Sequence, residues 1–219
     1  MAITDLLKFG GKRPDQAGGG VDTSPSAATA DAMVPSKALP KFLAALSSCE
    51  SPVLVDCGPV IGPNVAFFGE QLGCKLHIED LAADIDRHTR AGTRDQLAEA
   101  LAKRFPKGDA TVDGVLCWDI FDFLDKHAAQ ALAREVVRIL RPGGAMFGFF
   151  CNTASERAPF TKFEIVEGKT LRHRPHNGVG GAKQVLQNRD IIRMFDGLIV
   201  SDSFLLKSNT REILLRKRA

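Results

Sequence analysis

The chain is organised around Pro52-Val53-Leu54-Val55-Asp56-Cys57-Gly58-Pro59-Val60-Ile61-Gly62-Pro63. A short apolar run, Val53 to Val55, ends at an acid, Asp56, and a glycine-bearing turn follows from Gly58 to Gly62. Pro63 then suits the first turn of a helix, where its missing N–H has no partner to lose. Further out, a second run, Leu76 to Ile78, ends at Glu79 and Asp80. The pattern predicts strand, tight turn, helix, strand, with a carboxylate at each strand end. Parallel strands joined in this way place a ligand crevice off their carboxyl ends, beside a helix N-terminus.

Upstream, Gly10-Gly11-Lys12-Arg13-Pro14, Ala17-Gly18-Gly19-Gly20 and Thr23-Ser24-Pro25-Ser26 give residues 1–35 a composition too poor in apolar surface to fold alone. They read as a flexible tail, and residues 36–219 as one domain. Leu39, Phe42, Leu43 and Leu46 have helical spacing, with Pro40 in the first turn. Downstream, Thr93 caps a helix from Arg94 to Phe105, and Val112 to Trp118 is a strand that stops at Asp119. A helix from Asp125 to Leu140 is ended by Arg141-Pro142-Gly143-Gly144, and the unbroken apolar run Ala145 to Cys151 is a buried parallel strand. Residues 152–183 are irregular enough to be an insertion on the substrate side. Within it, Lys162–Val166 and Lys169–Arg172 can pair through Glu167-Gly168, and residues 177–181 form a glycine-rich loop. After a helix from Asn188 to Phe195, capped by Asn188, Leu198–Leu206 and Glu212–Arg216 lie too close for a helical crossover and form an antiparallel hairpin. Asp84 to Gly92 shows no clear period, and no strand is evident between Glu79 and Asp113.

Composition narrows the function. A net charge of +3 is too small for nucleic acid to be the main partner, and the basic cluster Arg216-Lys217-Arg218 suits a solvated strand end. Five scattered cysteines without a C-x-x-C pair argue against a zinc site or a disulfide framework and fit a reducing cytoplasm. No run approaches a membrane span. The turn lacks G-x-G-x-x-G spacing and the chain has no tyrosine, which argues against a nicotinamide-dependent oxidoreductase of the Tyr–Lys type; no phosphate-binding G-K-[ST] follows Gly62.

On these residues the chain resembles the class I S-adenosylmethionine-dependent methyltransferases, from about Leu39 to the C-terminus. Their first motif, acid-x-Gly-x-Gly-x-Gly, is similar to Asp56-Cys57-Gly58-Pro59-Val60-Ile61-Gly62, with Val60 in place of the middle glycine. Their ribose-binding acid matches Glu79, 17 residues past Gly62. Their fourth strand resembles Asp113-Gly114-Val115-Leu116-Cys117-Trp118-Asp119, and their signature before the fifth strand resembles Arg138-Ile139-Leu140-Arg141-Pro142-Gly143-Gly144.

The resemblance implies an α/β fold: a Rossmann-like, doubly wound mixed sheet, mostly parallel, with a C-terminal antiparallel β-hairpin. It implies S-adenosyl-L-methionine as cofactor, S-adenosyl-L-homocysteine as product, and a small molecule or a protein as methyl acceptor. Asp56, Gly58, Gly62, Glu79, Trp118 and Asp119 are then the cofactor-binding candidates. Asp119 is also the catalytic candidate, as a base or by positioning the acceptor; capping the following turn is its other reading. Trp118 stacks on adenine or on substrate, or is core. His173 and His176 have no third ligand at a clear spacing, so no metal is expected. Arg172, Arg174 and Lys183 read as a solvated loop or as a bias toward an acidic acceptor. A non-catalytic scaffold that has lost the cofactor is the alternative, argued from Val60, whose branched side chain disfavours positive φ, from Pro59, which lacks an N–H, and from the missing third strand with its adenine-contacting acid.

Overall fold

A computed structural model of the chain describes residues 32–105, 108–176 and 180–218. The elements run β1 (Ala32–Pro35), α1 (Leu39–Ser47), β2 (Val53–Asp56), α2 (Gly62–Ala66), β3 (Lys75–Ile78), α3 (Leu81–Ala91), α4 (Leu97–Ala102) and β4 (Val112–Trp118). They continue through α5 (Lys126–Ile139), β5 (Leu140–Cys151), β6 (Ser155–Ala158), β7 (Thr161–Val166), β8 (Thr170–Pro175) and β9 (Gly181–Lys183). The last three are α6 (Asn188–Met194), β10 (Leu198–Leu205) and β11 (Thr210–Lys217).

Six strands form the central sheet in the order β10-β11-β5-β4-β2-β3. β3, β2, β4 and β5 are mutually parallel, while β11 runs antiparallel to β5 and β10 antiparallel to β11. Alternation along each strand divides the core into two layers. Val55, Val115, Cys117, Met146, Ile213 and Leu215 face the cluster formed with α3, α4, α5 and α6. Leu54, Leu116, Trp118, Phe147, Phe149 and Leu214 face the cluster formed with α1, β7 and β8. Burial on both faces is why these strands read as unbroken apolar runs.

Several expectations are met closely. The hairpin over residues 162–172 is β7–β8, with Glu167 and Gly168 left-handed at φ 55° and 67°; Lys169, expected to open the second strand, is the third residue of the turn, since Val166 pairs with Thr170. Leu39, Phe42, Leu43 and Leu46 are the buried face of α1, and its first turn holds the proline.

Others are corrected. Residues 32–35, assigned to the tail, are β1, which pairs with β8 from Ala32 opposite His173 to Pro35 opposite Thr170. The folded part of the chain therefore starts by Ala32 rather than Ser36, because β8 offers β1 a backbone edge that the sequence does not display. The remainder of the expected tail, and residues 177–179 of the glycine-rich loop, lie outside the described residues. The unassigned segment around Asp84 is helix α3, capped by Asp80, whose side chain accepts from the Ala83 N–H at 3.2 Å. Thr93 precedes a short 3₁₀ turn, Arg94–Gln96, rather than α4 itself, and makes no side-chain cap: its hydroxyl faces His88 Nδ1 at 3.0 Å. Asn188 is the first residue of α6 rather than its cap, and its side chain accepts from Arg211. β3 is the sheet edge among the described residues, so the segment without a strand signal between Glu79 and Asp113 forms none.

Candidate functional site

The parallel register brings the sequence-identified acids together. Asp56 of β2 sits beside Ile78 of β3 and Leu116 of β4, so Glu79, Cys57 and Cys117 occupy the next level along adjoining strands. The Glu79 N–H donates to the Asp56 carbonyl at 2.8 Å, and the Leu81 N–H to the Cys57 carbonyl at 2.9 Å, which closes the two strand ends on one another. The turn after Asp56 leads into α2, where Asn64 is buried. Asn64 Nδ2–H donates to the Phe163 carbonyl and Asn64 Oδ1 accepts from the Ile165 N–H, both at 2.8 Å. One side chain thus pins the insertion's β7 against the helix that follows the glycine turn.

Asp56 is buried. Its Oδ1 accepts from the Gly58 N–H at 2.9 Å and from the Trp118 indole N–H at 2.6 Å. Burial nonetheless pushes its pKa up to about 6, because desolvation outweighs those two bonds and Asp80 adds repulsion. The sign of the resulting pH dependence is fixed. A carboxyl raised from 3.8 to about 6 binds its proton more tightly when folded, so its contribution to stability falls as pH rises through that window. Asp56→Asn is expected to remove this slope and to stabilise the ligand-free protein above pH 7 by about 2–3 kcal/mol. Thermal melts of both proteins at pH 4 and pH 7.5 check it; equal pH slopes would refute the assignment.

Val60, whose branched side chain argued against the turn, is 62% exposed, and its φ is not among the left-handed ones. The valine therefore points to solvent in a conformation it tolerates. Val60→Gly is expected to destabilise by about 0.5–1 kcal/mol through the unfolded chain alone. Cofactor affinity should change by less than about threefold, since the side chain leaves the turn's inner face untouched. Denaturation and binding titrations on the same sample distinguish the two effects.

Glu79 is buried at the end of β3, and its Oε2 pairs with Arg104 Nη1 at 3.0 Å. Arg104 also donates to the Glu79 carbonyl at 2.6 Å and to Asp84 at 2.8 Å. These groups line a surface cleft of about 570 Å³ together with Arg87, Leu97 and Leu101. Asp119, past β4, is also buried and receives Lys183 Nζ at 2.9 Å. Lys183 reaches Asp122 at 3.5 Å as well and lies over the Phe123 ring. Burial lifts Asp122 to about 6 despite Lys183.

Trp118 stacks on Phe163, with ring centroids 5.2 Å apart, and Phe163 stacks in turn on Phe149 at 4.9 Å. The edge of His173 meets Phe163, and burial lowers this imidazole to about 4, so it is neutral at pH 7. Gly62 opens α2, with nothing near the position a Cβ would take.

Asp56, Gly58, Glu79, Trp118 and Asp119 therefore converge at the carboxyl ends of β2, β3 and β4. The basic cluster does not hold together: Arg172 and Arg174 pair with Glu164 on β7, whereas Lys183 serves Asp119. Asn64, Arg104 and Phe163 carry no sequence signal of their own, because each acts through a partner 25 or more residues away. Among the described residues no group of three or more His, Cys, Asp or Glu is placed to hold a metal ion, and no helix is long and apolar enough to cross a membrane.

The sheet order, the acids at adjoining strand ends and the closing hairpin define a class I methyltransferase fold. Residues 55–148 match the family model described as a methyltransferase domain. No curated protein matches the chain. Among solved structures it is similar to the 1,6-didemethyltoxoflavin-N1-methyltransferase of Burkholderia thailandensis, at 19% identity over 83% of this chain and 79% of that one, with a TM-score of 0.47. A glycopeptide N-methyltransferase complexed with S-adenosylmethionine is 17% identical over 84% and 95%, with a TM-score of 0.43. A geranyl diphosphate methyltransferase is 14% identical over 83% and 76%, with a TM-score of 0.49.

Proposed function

We propose that the protein is an S-adenosylmethionine-dependent methyltransferase acting on a small molecule or a protein side chain. The observation that carries this reading is the pairing of Asp56 and Glu79 at neighbouring parallel strand ends, on either side of a glycine turn. The residues suit the cofactor chemically. Asp56 is a buried carboxylate whose raised pKa a cationic aminoacyl group would bring back down. Glu79 presents Oε1, free of protein partners among the described residues, to a ribose diol, while Arg104 steadies Oε2. Gly58 and Gly62 allow close backbone approach along the turn.

When bound, the cofactor supplies a sulfonium methyl group for an acceptor nucleophile and leaves as S-adenosylhomocysteine. The chain's own part is to align and to exclude water. Asn64 and Lys183 hold β7 and β9 of the insertion over the strand ends, on the side where an acceptor would approach. Asp119, engaged by Lys183, serves in this reading as the anchor of β9 rather than as a base. Val60, one of the arguments for a non-catalytic scaffold, does not support it, because the side chain lies outward and its φ is not left-handed.

Calorimetric titration with S-adenosylmethionine and S-adenosylhomocysteine tests the reading. Micromolar binding of both supports it. No binding by protein shown to be folded would sink it.

A further inference from the structure

Trp118 is the chain's one tryptophan, and three observations set it apart from a residue that merely fills the core. Its backbone is left-handed, at φ 48°, a conformation that a residue bearing a Cβ keeps only where its surroundings impose it. Its indole N–H is spent on the buried Asp56 carboxylate, at 2.6 Å. Its ring covers the bare face of Gly58 so closely that a Cβ there would lie 2.5 Å from Trp118 Cδ1. Core filling requires neither the strained backbone nor the bond to a carboxylate.

We infer that Trp118 is a gate that competes with the cofactor for Asp56. This rests on the methyltransferase reading: the indole N–H holds the carboxylate oxygen that the aminoacyl end of the cofactor would take, and the ring covers the turn it would lie along. Cofactor entry requires the indole to leave Gly58. Its departure also ends the stack on Phe163, whose strand, β7, belongs to the insertion. Filling the cofactor side thereby loosens the acceptor side, so the insertion opens to an acceptor only after the cofactor is in place. The apparent affinity of the cofactor is reduced by the fraction of molecules in which the indole is seated.

With no tyrosine in the chain, tryptophan emission reports on this one side chain. S-adenosylmethionine is titrated into the wild-type protein by fluorescence and by calorimetry, and calorimetry is repeated on Trp118→Phe, which keeps a ring against Phe163 but has no N–H for Asp56. The expected result is an emission maximum that moves to longer wavelength with the calorimetric midpoint, and binding to Trp118→Phe about tenfold tighter than to the wild type. Wild-type binding with unchanged emission, or Trp118→Phe binding no more tightly, overturns the gate and leaves the methyltransferase reading standing. If neither protein binds the cofactor, that reading fails and the gate fails with it.

Discussion

Glu79→Ala is expected to weaken S-adenosylmethionine binding by about 100-fold or more while lowering the melting temperature by only a few degrees. A carboxylate that accepts two ribose hydroxyls makes two charge-assisted hydrogen bonds, each contributing about 1.5–3 kcal/mol. At about 1.4 kcal/mol per tenfold, even the lower end of that range exceeds two decades. The stability cost is smaller because Arg104 keeps other partners: it still donates to the Glu79 backbone carbonyl and to Asp84. Its side chain is also 37% exposed, so water can replace the lost carboxylate. Glu79→Gln should lie between the two, since an amide keeps one acceptor without the charge. Calorimetry and thermal melts on the same preparations check both halves. Affinity within threefold of wild type would move the ribose site elsewhere, and a large drop in melting temperature would make Glu79 a structural residue.

Glu212→Ala should produce the largest stability loss, about 4 kcal/mol, although Glu212 lies far from the proposed cofactor site. Glu212 is fully buried on β11, and its carboxylate receives the Ser36 hydroxyl, the Lys37 N–H at 2.9 Å and the Ala38 N–H at 3.2 Å. Ser36 Oγ in turn accepts from the Leu39 N–H at 2.9 Å. The first turn of α1 has no side-chain cap of its own, so a glutamate 174 residues on from Ala38 supplies it. Removing that carboxylate leaves the Ser36 hydroxyl and the Ala38 N–H buried without a partner, each at roughly 1–3 kcal/mol, and the part-buried Lys37 N–H loses its partner as well. Glu212→Gln should recover about half of the loss, because an amide oxygen still accepts. Urea denaturation measures it directly. A cost below about 1 kcal/mol would mean that water reaches the helix start.

The two variants mark where the sequence could be read and where it could not. The sequence specified the parallel strands, because burial on both faces leaves unbroken apolar runs such as Ala145–Cys151. It also specified both hairpins: two left-handed residues, Glu167 and Gly168, close one, and the other has too short a link for a crossover. Asp56 and Glu79 were legible because each ends its own strand, so local pattern alone sets their level in the sheet.

The tertiary structure alone decided the company these residues keep. β1 joins β8 across more than 130 residues, through backbone bonds that any sequence can make. Lys183 reads as one more loop cation until β9 brings it to Asp119, and Arg104 becomes significant only where α4 ends beside Glu79. Val60 reads as an obstruction because its orientation depends on the path of the turn, which its neighbours in space determine. Trp118 was legible as a strand-end aromatic but not as a competitor for Asp56. That role depends on a left-handed backbone and a stacking partner in the insertion, and neither leaves a local pattern in the chain. Local periodicity and turn chemistry are properties of short segments and survive in the sequence, whereas ion pairs, caps and stacks join distant segments and exist only once the sheet has brought them together.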